Sequence, residues 1–129
     1  MLPLALQRRL PCIRRASARW FSDALRALSA KHEIIGDVRG LAVGVDLARD
    51  RSTREPVAAT TTAKIIYRGY ELGAAFTYVG LKANVLEFMP PLTLTEDEAA
   101  KGAAIVDQAM TDVSAGKVSD ADVASFMMW

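Results

Sequence analysis

Cysteine and histidine are nearly absent from this chain: Cys12 and His32 are the only examples of each. A lone cysteine excludes an internal disulfide and cannot anchor a metal site by itself. As a nucleophile Cys12 needs a neighbouring base, and His32 lies at the end of the following helix, so a spectator thiol is the simpler reading. Charge imbalance is missing too. Sixteen Lys and Arg stand against fifteen Asp and Glu, a formal net charge of +1. That balance argues against nucleic acid as a whole-domain electrostatic partner. No apolar run approaches the roughly 18 residues that span a bilayer, so no membrane partner is expected. What remains is an ordinary globular composition, 51% hydrophobic and 24% charged over 129 residues. It suffices for one domain that buries roughly two-thirds of its unfolded surface.

Acidic residues are also missing from the first twenty positions, where Arg8, Arg9, Arg14, Arg15 and Arg19 alternate with apolar side chains. Arg-rich, acid-poor segments of this kind are what mitochondrial presequences look like. Pro3 and Pro11 interrupt a continuous presequence helix, which favours a basic lead-in to the first helix instead. The expectation is a basic, poorly ordered segment over 1–14, a domain over 15–129, and a cytoplasmic location with mitochondrial import left open.

From Arg15 to Lys31, Ala18, Phe21, Leu25 and Leu28 recur at helical spacing and predict an amphipathic helix. Ile34 to Gly40, with two glycines, is expected to be a turn-and-approach segment. Leu41 to Leu47 is rich in branched residues and predicts a buried strand. Arg49 to Pro56 is polar, closes on proline and reads as a loop. A second helix is expected over Thr60 to Leu72, with Ala63, Ile66, Tyr67 and Tyr70 on one side and Gly73 at the C-cap. Strands follow at Ala75 to Val79 and Asn84 to Met89, with Pro90-Pro91 ending the ladder.

Thr95 with Glu98 forms a capping box that opens a third helix. Glu96 and Asp97 add negative charge at the positive end of the helix dipole. Adjacent carboxylates in a first turn are capping groups before they are metal ligands, so no metal site is assigned. Gly116 breaks this helix, and Ser119 to Asp122 starts a last short one. The connection between the second and third strands is too short for a parallel crossover. The fold class is therefore α/β of the α+β type: a small, mostly antiparallel sheet of about three strands with helices packed on one face.

Four segments carry a resemblance. They are His32 to Gly40, Gly44 to Leu47, Asp50 to Pro56, and Asn84 to Glu96 with its Pro-Pro-Leu-Thr-Leu-Thr-Glu ending. In this order and spacing they resemble the C-terminal small domain of the class III (fold type I) pyridoxal-phosphate-dependent aminotransferases, from about Arg15 onward. The resemblance implies amino-group transfer to a 2-oxo acid or aldehyde, pyridoxal 5'-phosphate as cofactor, and a homodimer with sites at the subunit interface. It also implies that the lysine carrying the cofactor, the phosphate-binding turn and the aspartate facing the pyridinium nitrogen belong to a large domain. None of Lys31, Lys64, Lys82, Lys101 and Lys117 lies in a segment like the cofactor-lysine motif. A solvated lysine is moreover a poor nucleophile. The chain alone is accordingly expected to bind no cofactor and to contribute no catalytic residue.

Two departures from the family pattern stand out. Arg39-Gly40-Leu41-Ala42-Val43-Gly44 is two residues short of the common form, which predicts a tight turn with strand facing preserved. Glu87 stands where many relatives carry an arginine that grips the substrate carboxylate. Glu87 is thus either a substrate-facing residue for a different group or a locally solvated strand residue. Three functions follow: a non-catalytic remnant domain, one half of a split aminotransferase completed by a separate large-domain chain, or a module that interferes with the dimer of an intact paralogue. The expected partners are that large domain or paralogue, or a second copy through self-association.

Overall fold

The computed structural model describes residues 16, 18–40 and 42–127. Residues 1–15, with Cys12 and the basic lead-in, lie outside the described residues. A first helix, α1, runs over residues 18–28. It is followed by strands β1 (Ile35–Arg39), β2 (Val43–Asp50) and β3 (Glu55–Pro56), then helix α2 (Ala59–Glu71). Strands β4 (Thr77–Val79) and β5 (Val85–Phe88) precede helix α3 (Glu96–Ser114) and the short helix α4 (Asp120–Val123), which runs into a 3-10 turn at Ala124–Phe126. The strand order is β1-β2-β5-β4, with β3 also on β2, and every pairing is antiparallel.

The α/β class and the single helix-covered face agree with the sequence. The sheet is larger than the three strands expected. The turn-and-approach segment is in fact β1, and the loop at Arg49 to Pro56 holds the end of β2 and all of β3. A bulge explains why β1 is hard to read. The register jumps between Ile35 and Asp37, so Ile35 and Val38 both face the core at a spacing of three rather than two. Strand β3 is only two residues long, held by a forked Arg49–Glu55 ion pair at 2.6 and 3.2 Å.

One apolar layer joins the elements. Val43, Val45 and Leu47 of β2 and Leu86 and Phe88 of β5 face Phe21 and Leu25 of α1, Ile65 of α2, and Val106 and Met110 of α3. Phe88 bridges two other rings, edge-on to Phe21 at 5.1 Å and tilted on Phe76 at 4.8 Å. Gly40 has φ +91°, and a Cβ there would meet the Ala42 carbonyl oxygen at 2.6 Å.

The expected capping box forms, and the start of the last short helix carries a second one. Thr95 and Glu98 exchange bonds at the start of α3, and Ser119 and Asp122 do the same for α4. On α2 the core-facing positions are Thr62, Ile65 and Gly69. The side carrying Ala63, Ile66, Tyr67 and Tyr70 instead lines a surface groove.

Gly69 yields a test of this packing. A Cβ there would lie 2.4 Å from the Phe76 ring. Gly69→Ala gains about 1 kcal/mol of helix propensity but forces Phe76 off Phe88, an overpacking cost of about 1–3 kcal/mol. The urea midpoint of the variant is expected to fall. A raised midpoint would show that Phe76 swings aside at little cost.

Candidate functional site

The face of the sheet turned away from the helices carries the candidate site. Directly paired residues of neighbouring strands point to the same side. The register therefore sets Thr77, Glu87, Gly44 and Arg39 in one row across β4, β5, β2 and β1. The next row is Val79, Val85, Asp46 and Asp37. Between these rows Leu86, Val45 and Val38 point the other way, into the core.

The Arg39 guanidinium forks onto the Asp46 carboxylate at 2.6 and 2.8 Å and lies 3.6 Å from Asp37. Its charge is therefore already matched. Glu87 is half-buried and, among the described residues, its carboxylate has no hydrogen bond or ion pair. Gly44 offers only backbone between Glu87 and Arg39, which leaves the carboxylate approachable from that side. An unpaired, partly desolvated carboxylate repels an incoming carboxylate and attracts an ammonium or hydroxyl donor.

The motif residues turn out to be structural. Asp50 accepts bonds from the Ser52 amide and hydroxyl and the Thr53 amide, which hold its carboxyl below the usual carboxylate range and shape the β2–β3 turn. Arg51 donates to the backbone carbonyls of Ser29, His32 and Glu33, tying that turn to the end of α1. Asn84 Nδ2 donates to the Leu47 carbonyl at 3.1 Å, while the Leu47 amide donates to the Asn84 carbonyl at 2.7 Å. The buried His32 ring pairs through Nε2 with Asp107 of α3 at 2.5 Å. Lys31 binds the same carboxylate, and these contacts, Lys31 first, keep Asp107 below its ordinary value.

Two anchoring acids escape a sequence reading, Asp107 and above all Asp112. Asp112 is fully buried. It accepts from Lys117 Nζ and Arg68 Nε, both at 2.8 Å, and from Gln108 Nε2 at 2.9 Å. Lys117 and then Arg68 pull its pKa down to about 2. The signal was an acid three residues after Ala109, within the apolar stripe of α3.

The lysines do not fit a cofactor-carrying role. Lys31, Lys64 and Lys117 are paired with Asp107, Asp120 and Asp112. Lys82 sits in the β4–β5 turn and Lys101 on the outside of α3, so none stands on the open sheet face. The open sheet face thus holds no lysine of its own to carry pyridoxal phosphate. Glu98 is engaged with Thr95, and among the described residues no group of three or more His, Cys, Asp or Glu could hold a metal ion. Nor is any described helix long and apolar enough to cross a membrane.

This helix-backed sheet recurs in solved aminotransferases. A Bacillus anthracis aminotransferase superposes with a TM-score of 0.75 at 25% identity, over 81% of this chain and 25% of that one. The adenosylmethionine-8-amino-7-oxononanoate aminotransferase of Methanocaldococcus jannaschii does so at 0.68 and 26%, over 82% and 24%. The class is thus an α/β domain of aminotransferase architecture.

Sequence relatives narrow it. The leucine/methionine racemase of Thermococcus litoralis is 40% identical over 98 residues, 74% of this chain and 21% of its own length. The 5-aminovalerate aminotransferase DavT of Pseudomonas aeruginosa is 36% identical over 92 residues, 70% of this chain and 21% of its length. The chain therefore spans about a fifth of the curated relatives it matches. No protein-family model matches it. Motifs, fold and relatives agree on one resemblance, the C-terminal small domain of the class III pyridoxal-phosphate-dependent aminotransferases.

Proposed function

We propose that this chain is the small domain of a class III pyridoxal-phosphate-dependent enzyme, inactive alone and working against a polypeptide that supplies the cofactor lysine. The observation that carries this reading is the open sheet face, whose unpaired Glu87 faces away from a core that is closed on the helix side. The reaction is amino-group transfer to a 2-oxo acid or aldehyde. Racemisation is the second reading, favoured by the racemase names of the Thermococcus litoralis relative and of a Pyrococcus horikoshii relative at 38% identity. In such an assembly Glu87 meets the substrate end that an arginine would otherwise grip, and it selects against a second carboxylate. A chain that docked on an intact paralogue without a cofactor lysine of its own would instead lower that enzyme's activity.

The test is a gel-filtered mixture of the purified chain with pyridoxal phosphate, alongside the chain recovered from its own cells. The purified chain is expected to emerge colourless and without amino-transfer activity. The recovered chain is expected in a larger, cofactor-absorbing complex. A purified chain that retains the cofactor and turns over substrate would overturn the proposal, and so would recovery of a colourless lone chain from cells.

A further inference from the structure

Away from the sheet face, α2, β4 and the 3-10 turn at Ala124–Phe126 enclose an apolar groove of about 530 Å³. A groove of this volume is large enough to take a bulky apolar group. Ala63, Ile66, Tyr67, Phe76, Tyr78 and Phe126 are among the residues that line it, and no described lining residue is charged. Its rings are held by contacts of their own. Phe126 leans on Tyr67 with ring centroids 5.9 Å apart, and Phe76 packs on Phe88 of the core at 4.8 Å.

The chain itself brings an occupant to the groove. Met127 lines it and is the last of the described residues. Met128 and Trp129, which lie outside the described residues, follow directly in the sequence. Phe126-Met127-Met128-Trp129 is an unbroken run of large apolar side chains, and its first two members already line the groove. From Met127 the backbone reaches Trp129 within about 7 Å even at full extension. So short a tether gives a high effective concentration and costs little closure entropy. An indole has a large apolar area to bury, and ring neighbours in offset or edge-on contact add to that gain. Tyr70 and Tyr78, both lining the groove, carry phenol oxygens that can accept from the indole Nε1–H.

We propose that Trp129 docks into this groove of its own chain, as a latch that closes the groove to other apolar partners. The latch ties the end of the 3-10 turn to α2 and β4. A competing apolar side chain or ligand enters only by displacing the indole. The proposal does not depend on the sheet face or on any cofactor.

Tryptophan fluorescence of the full chain tests it. Trp20→Phe leaves Trp129 as the sole tryptophan. Its emission is expected to be blue-shifted and shielded from acrylamide, equally so at every protein concentration. Ala63→Lys, added to that chain, places a charge in the groove. It should return emission and quenching to those of free indole in water, with the circular dichroism spectrum unchanged. Trp129→Ser in the otherwise natural chain should bind the neutral apolar probe N-phenylnaphthylamine at least about tenfold more tightly than wild type, since a latch closed about nine-tenths of the time weakens apparent affinity that much. A solvent-like Trp129, or burial that Ala63→Lys leaves intact, overturns the proposal. Burial that grows with protein concentration places the indole in a second copy and overturns it equally, as does equal probe uptake by Trp129→Ser and wild type.

Discussion

Leu86→Ala is expected to cost about 2–5 kcal/mol of stability, read as a drop of about 10 °C or more in Tm. Leu86 is fully buried at the centre of β5. Its strand is hydrogen-bonded to β2 on one side and β4 on the other, through the pairs Val45↔Leu86 and Tyr78↔Leu86. Both flanks of the side chain are therefore fixed by backbone ladders, and the helices close the layer above it. A site held on all sides cannot collapse into the space a leucine leaves, so the cavity cost adds to the lost transfer free energy. Leu81→Ala in the adjoining turn is the control. It removes a side chain of the same size that is fully exposed, and the Tm should not move. A Leu86→Ala variant that loses less than about 1 kcal/mol would mean the helix layer repacks freely over the sheet.

What the sequence showed clearly was local chemistry. Thr95 with Glu98, Ser119 with Asp122, and the left-handed glycines Gly73 and Gly116 bounded the helices where the structure has them. Those signals act within three or four residues, so no tertiary partner is needed to read them. Strand β1 was not legible, because the bulge at Gly36 replaces alternation with a spacing of three. The two tyrosines of α2 look like a core stripe, yet the core is reached through Thr62, Ile65 and Gly69, because Phe76 occupies the space that a side chain at Gly69 would need.

The same division runs through the site. The family motifs were legible as strings, but their work in this fold is structural: Arg51 collects backbone carbonyls and Asn84 pins β2. Glu87, picked out by its departure from the family pattern, stands on the open face with its carboxylate unpaired among the described residues. Family strings thus report which scaffold is being built. A break in a string marks where this chain departs from that scaffold's usual residues.

Asp112→Asn should flatten the acid limb of the stability curve. The wild-type carboxyl sits at about 2 against an ordinary value of 3.8, because Lys117 and Arg68 hold it charged. The folded protein therefore gives up this proton more readily than the unfolded chain does. The resulting stabilisation is complete above the unfolded value and is lost as pH falls from about 4 towards 2. Asparagine keeps the shape and, through Oδ1, the bonds from Gln108 and Lys117, but without the charge, and its Nδ2 sets a donor against the Arg68 Nε–H in a buried site. The urea midpoint of Asp112→Asn is expected to lie well below wild type at pH 7, to fall less steeply on acidification, and to approach wild type near pH 2. A residual slope will remain, because Asp107, Asp122, Glu98 and Asp50 are also held below their ordinary values. Parallel curves for the two proteins would show that the clamp between α2 and α3 is held by packing, with the charge on Asp112 contributing nothing.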